Sequence, residues 1–170
     1  MRVIRILMLM VLAVQAGAIV WIWASYFGGN SGYLIDVLGL EENVKFEIFD
    51  IILIMLASLL FIASLCLITV ATFFHDNAQR RYGVFAIGAA RAVRMLGYGL
   101  GSLWATLALV EFVIPPVIQA RQGVETWSGV SVELPLDENF VIVVAAAMLV
   151  RIAAIMDKGR DIETENKQII

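Results

Sequence analysis

Charged side chains are scarce in this chain: 16% of its 170 residues are Asp, Glu, Lys or Arg, 61% are hydrophobic, and the mean hydropathy is +0.89. A soluble domain carries roughly a quarter charged residues and about 45–50% apolar ones. The surplus of apolar surface needs lipid to cover it, and the length leaves room for one membrane domain with short loops. Cysteine is nearly absent. Cys66 stands alone in an apolar run, so it can build neither an internal disulfide nor a Cys-x-x-Cys motif, and it reads as a small packing residue. Histidine is as rare: His75, beside Asp76, cannot by itself supply a bis-His haem site or a His-rich metal cluster, and it reads as an interfacial residue facing headgroups. Also missing are paired intramembrane carboxylates, a His-Glu-x-x-His motif and a glycine-rich phosphate loop. The chain is therefore expected to be no enzyme and to carry no cofactor, since catalysis needs convergent nucleophiles, bases or ligands. Inverted repeats and a broken central helix, the usual transporter signs, are missing too.

What is present is four long apolar runs, over about residues 6–27, 49–74, 95–114 and 140–156. Each is long enough to cross a bilayer, the second with some tilt or an extension beyond the lipid. The first follows a basic start but is too long for a signal-peptide core and finishes in Trp21, Trp23, Tyr26 and Phe27, an interfacial aromatic cluster, so it is expected to be a retained helix. Pro115-Pro116 is expected to end the third run, because neither proline donates a backbone hydrogen bond. The fourth is the shortest and carries Arg151.

The charges that remain are sorted by segment. Arg2, Arg5, Arg80, Arg81, Arg91, Arg94, Arg151, Lys158, Arg160 and Lys167 belong to the N-terminus, the loop after the second run and the C-terminal end; that is ten of the twelve basic residues. The other two loops hold only Lys45 and Arg121, among nine acidic residues. Lys and Arg near span ends set orientation, so both termini are expected in the cytoplasm. The cluster from Arg80 to Arg94 suits a short amphipathic helix on the inner leaflet, where topology anchoring accounts for its charge.

The expected fold is an all-α membrane protein, a single domain over residues 1–170: a four-helix bundle with a small acidic extracytoplasmic cap. The outer loops, 28–48 and 115–139, are too long for tight helix–helix turns. Gly28-Gly29-Asn30-Ser31-Gly32 marks a turn, and Val130-Ser131-Val132-Glu133-Leu134 alternates like a short strand, so the cap has room for a β-hairpin.

Few residues are candidates for function. Gly97, Gly101 and Ala105 form a small-residue face that lets two helix backbones approach, either within the bundle or between two copies of the chain. Glu111 and Arg151 are charges inside apolar runs and so are functional candidates by default. They are not expected to pair. At 1.5 Å per residue Glu111 stands about 25 Å above Arg94, whereas Arg151 stands about 8 Å above the inner end of its span and can snorkel to the headgroups. The tail, 157–170, is charged and helix-competent, yet it closes on Ile169-Ile170. Ile162, Glu165, Asn166, Ile169 and Ile170 read either as a frayed helix end or as a docking peptide with apolar anchors.

The run Met156-Asp157-Lys158-Gly159-Arg160-Asp161-Ile162 with its Glu165-Asn166-Lys167-Gln168-Ile169-Ile170 ending, and the segment Arg91-Ala92-Val93-Arg94-Met95-Leu96-Gly97, resemble the bacterial domain-of-unknown-function family 2975. Its members are small four-span membrane proteins with a similar acidic-Asn-x-x-aliphatic tail. The resemblance covers nearly the whole chain through short motifs, and it implies no catalytic residues. It implies a membrane anchor or sensor that partners a small cytoplasmic helix-turn-helix regulator.

The functional expectation is a non-enzymatic protein of the inner (plasma) membrane. Its tail docks a cytoplasmic DNA-binding regulator or another membrane subunit, with no direct nucleic-acid contact of its own and homo-oligomerisation left open. The alternative is a bundle that binds a lipid or small ligand, or carries one with protons, through Glu111.

Overall fold

The computed structural model describes residues 2–40, 44–82, 87–122 and 138–169. They form helices α1 (Arg2–Phe27), α2 (Gly32–Leu38), α3 (Ile48–Tyr82), α4 (Ile87–Ala108), α5 (Ile114–Arg121) and α6 (Glu138–Ile169), with a π-helical turn, Leu109–Val113, joining α4 to α5. No strand occurs among the described residues; the strand-like segment 130–134 lies outside them. Four helical stretches are long and apolar enough to cross a membrane: Arg5–Phe27, Ile48–His75, Gly88–Arg121 and Phe140–Asn166. The chain is a multi-pass helical membrane protein by that measure. Helices suit such a sequence because each satisfies its own backbone N–H and C=O groups where no water can.

Local sequence sets where the helices stop and start. After α1, Gly29 adopts φ 91°, its N–H bonds Tyr26 O at 3.0 Å and the Asn30 N–H bonds Ser25 O at 2.9 Å. The same pattern closes α2: Gly39 has φ 61°, its N–H reaches Asp36 O at 3.2 Å, and the Leu40 N–H reaches Ile35 O at 3.1 Å. Both are Schellman turns, which need a left-handed residue that glycine adopts without a Cβ penalty. In the second, Leu40 and Ile35 share one buried cluster, the apolar contact that accompanies this motif. At the start of α3 the Glu47 N–H donates to Asp50 Oδ2 at 2.9 Å while Glu47 O accepts from the Ile51 N–H at 3.1 Å. An acidic residue at the third helical position thus satisfies a backbone N–H that the helix cannot.

The third span does not end at Pro115-Pro116. The Ile114 N–H bonds Leu109 O, five residues back, so the register widens by one residue just before the prolines. Pro115 and Pro116 then occupy the first turn of α5, the position in a helix segment where proline is best tolerated. The helix runs on to Arg121. A change of register replaces the expected stop. The fourth span likewise has no boundary at Met156: α6 continues through the tail to Ile169 as one helix of 32 residues.

The long helices stand in a row, α1–α3–α4–α6, each against its neighbour in the chain. Neighbours run antiparallel. Arg5 meets Asn77 while Trp23 meets Ser58; Ser64 meets Ser102; Arg94 meets Asp157. One end of the row therefore carries both termini, called here the terminal end; the opposite, loop end carries α2 and α5. Among the described residues α1 and α6 share no packed face, so the bundle is an open one with α1 and α6 as its edges.

Close approach in the middle of the row comes from glycine. A Cβ on Gly97 would sit 2.8 Å from Val150 Cγ2 and 2.9 Å from Ala146 O, both on α6; one on Gly99 would sit 2.7 Å from Ile68 Cγ1 on α3. At Gly101 the nearest atom would be Ala146 Cβ at 3.9 Å, an ordinary contact. The prediction is a contrast between two single substitutions. Gly97→Ala forces α4 and α6 apart and costs about 1–3 kcal/mol, the usual range for overpacking, whereas Gly101→Ala leaves stability within about 0.5 kcal/mol. Unfolding in mixed micelles with increasing denaturing detergent measures both.

Candidate functional site

The loop end of the row is held by one arginine. Arg121, on the last turn of α5, donates from Nη1 to Asp50 Oδ1 at 2.8 Å and from Nη2 to Glu47. Its guanidinium also lies 5.2 Å from the centre of the Phe49 ring, and Gln122 Nε2 donates to Lys45 O at 2.9 Å. Asp50 is 2% exposed, and its two oxygens serve different ends: one caps α3, the other takes the guanidinium. A carboxylate so buried requires this pairing, because an unpaired charge there costs several kcal/mol. Around it Leu34, Ile35, Leu38, Ile54, Ile114 and Ile118 form the larger of the two buried clusters. Sequence reasoning missed this clamp. The available signal was Arg121 itself, one of two basic residues in two otherwise acidic segments.

The aromatic residues that close α1 complete this end. Trp23, Tyr26 and Phe27 lie with ring centroids 5.6–5.9 Å apart, and Phe46 joins at 6.0 Å from Tyr26. Trp23 Nε1 donates to Ser58 Oγ at 3.3 Å, giving the indole the partner a half-buried ring needs. Below this contact α1 stands away from α3 and leaves a cleft of about 300 Å³, lined among others by Gln15, Ile19, Trp23, Ser58, Phe61 and Val110. Gln15 brings an uncharged amide to the cleft, and the sequence reading did not single it out. Glu111 does not line the cleft. It sits in the π-helical turn, exposed on the outside of the row.

The terminal end is held by a second set of charges. Arg94 on α4 pairs with Asp157 on α6, and Asp157 also accepts from Arg160 at 3.3 Å; Arg160 reaches Asp161 at 3.1 Å. Ala89, Ala90 and Met156 form the small buried cluster beside them. Arg5 lies 5.0 Å from the centre of the Phe73 ring and donates to Asn77 Oδ1 at 3.3 Å, tying α1 to α3. Asp157 is thus the charge that ties α6 to α4 at this end, and Asp161 to Asn166 beyond it are exposed.

The structure distributes the sequence candidates rather than gathering them. Gly97 and Gly101 face α6 inside the row, and Ala105 is exposed. Arg151 is exposed on α6, one residue beyond the Val150 that meets Gly97, in the half of the row away from Glu111. Ile162 is 59% exposed, and Glu165 and Asn166 are exposed on the same helix. Ile169 is the last residue of α6, and Ile170 lies outside the described residues. Among the described residues no group of three or more His, Cys, Asp or Glu is placed to hold a metal ion.

Two helices outrun the bilayer: α3, with 35 residues, and α6. At 1.5 Å per residue the 32 residues of α6 span about 48 Å, against a hydrocarbon core of about 30 Å. The excess of α6 carries Asp157 to Ile169, polar or charged apart from Gly159, Ile162 and the last residue of the helix. No family model matches the chain, and no curated protein or solved structure is detectably similar to it.

The clamp yields the second prediction. Arg121→Ala leaves Asp50 buried without its partner and lowers stability by about 3 kcal/mol, while the pair Arg121→Met with Asp50→Asn recovers most of the loss. A double-mutant cycle in detergent titration reads the coupling directly.

Proposed function

We propose that this protein is a non-enzymatic anchor in the inner (plasma) membrane whose α6 extension holds a cytoplasmic protein. The observation that carries this reading is the continuity of α6. It is paired with α4 at Asp157, and it goes on as helix with Asp161 to Asn166 exposed, Ile162 at 59%. An apolar side chain on an otherwise charged helix is the kind of anchor that a partner's groove takes up.

The orientation follows from the charges. Ten of the twelve basic residues belong to the segments at the terminal end, and such residues are retained on the cytoplasmic side. Both termini are then cytoplasmic, α2 and the Arg121 clamp lie outside, and the anchor is tethered across the membrane by rigid contacts at both ends. The likeness of the tail to that of family 2975 supports a small helix-turn-helix regulator as the cytoplasmic partner; the anchor itself binds no nucleic acid. A clamp exposed to the outside and an anchor exposed to the inside make a sensor of this arrangement.

The cleft beside α1 supports a second reading, an apolar small-ligand site using Gln15 and Ser58 at its polar edge. A carrier built on Glu111 has no such support, because Glu111 lies away from the cleft.

Removing residues 161–170 is expected to release a cytoplasmic protein that co-purifies with the full chain from cross-linked membranes, without changing insertion of the four spans. An identical set of bound proteins with and without the segment would overturn the docking role. Reporter fusions at the two ends are expected to be active only in their cytoplasmic form.

A further inference from the structure

α6 has two faces with different periodic patterns. The face toward α4 is small: Ala146 and Ala153 are buried, and Val150 meets Gly97. Ile155 and Ile162 come nine residues after Ala146 and Ala153, two and a half turns of helix, and so occupy the opposite side. That side carries Val141, Met148, Ile155 and Ile162, each seven residues from the next, with exposures of 66%, 61%, 66% and 59%. In sequence the series reaches Ile169, and Ile152, 47% exposed, lies beside it. Because α6 is an edge of the row, no described helix of the chain covers this ridge.

Lipid accounts for the exposure of Val141 and Met148, but not for a register kept past Asp157 into a charged segment. An apolar residue at every seventh position over four heptads is one of the two columns that a helix paired along a heptad seam carries. We propose that the ridge is covered by a second copy of this chain, the two α6 helices forming a parallel two-stranded coiled coil from the membrane into the tail.

The residues flanking the ridge favour a second copy over any other occupant. With the ridge as the d column, the a column reads Ala145, Ile152, Gly159, Asn166. Alanine and glycine let two backbones close inside and at the edge of the lipid. Asparagine at a single a position bonds its own counterpart across a parallel pair and specifies two strands and their register. Lys158 and Glu163 flank the seam on opposite sides, as g and e. In a parallel pair a g residue faces the e residue five positions further along the other helix, which brings Lys158 of each copy near Glu163 of the other, in addition to the contact Glu163 makes within its own chain. A symmetric pair repeats that attraction twice. Two copies inserted with the same orientation also have parallel α6 helices, as the two-fold requires.

The inference deepens the proposed anchor, since it rests on α6 as an interaction helix, but it does not depend on which cytoplasmic protein is held. Single cysteines placed at Ile155, Ile162, Asp161 and Thr164 in a Cys66→Ala background, oxidised in native membranes, test it. Ile155→Cys and Ile162→Cys are expected to give disulfide-linked dimers in high yield; Asp161→Cys and Thr164→Cys, off the seam, give little. Adding Ile162→Asp to Ile155→Cys is expected to abolish the dimer while the chain still inserts. Equal yields at all four positions, or no dimer at Ile155 and Ile162, would overturn the proposal. Seam dimers without loss of a bound protein on tail deletion would instead defeat only the docking role, and the converse result only the dimer.

Discussion

The close approach on the two sides of α4 is the contact on which the architecture depends. Gly97 and Gly99 are two residues apart and so point to nearly opposite sides of the helix. The first lets α6 come in against Ala146 and Val150, the second lets α3 come in against Ile68. Ala89, Ala90 and Ala92 continue the pattern, each at most 2% exposed. Lipid tails are as apolar as leucine, so helices in a bilayer are not driven together by burial alone; they stay together where small residues permit close contact. Polar bonds such as Ser64 to Ser102 at 2.8 Å add to that contact. α1 carries the small pair Ala13 and Gly17, but a Cβ on Gly17 would have nothing within 4 Å; the helix buries none of its described residues and leaves the cleft.

Once the row is packed, its two ends are fixed by charges of different character. At the loop end a buried carboxylate needs its arginine: Asp50 starts α3 and Arg121 ends α5, so one ion pair joins the second span to the third. At the terminal end Arg94, Asp157 and Arg160 are only partly buried, and exposed pairs of this kind contribute little by themselves. Their role is geometric. They tie α6 to α4 next to its exposed segment, and so set the direction of the ridge that carries Ile162.

Length and hydropathy made the four spans legible, because twenty apolar residues have few other homes. The glycine turn directly after α1 was legible for a local reason, a left-handed backbone at Gly29; the one at Gly39 was not singled out. The prolines were not. A Pro-Pro pair ordinarily stops a helix, and the π-helical register at Leu109–Val113 that absorbs it has no local sequence signature. The Arg121 clamp was hidden because its partners lie 71 and 74 residues away. Glu111 and Arg151 were conspicuous as charges in apolar runs, yet both are exposed and in separate halves of the row. The tail was legible as helix-competent, but its union with the fourth span into one helix was needed before the seven-residue spacing acquired a face.

A docking or seam role for α6 requires that it stay helical through its exposed residues 161–166. An unsupported helical end of about ten residues frays, since so short a segment is marginal in water. Amide hydrogen exchange across residues 157–166 in the full-length protein in bilayers therefore tests it most directly. Slow exchange, continuous with that of the spanning residues, is the predicted result. Exchange over 161–166 at the rate of an unstructured chain, in the presence of a protected span, would contradict it.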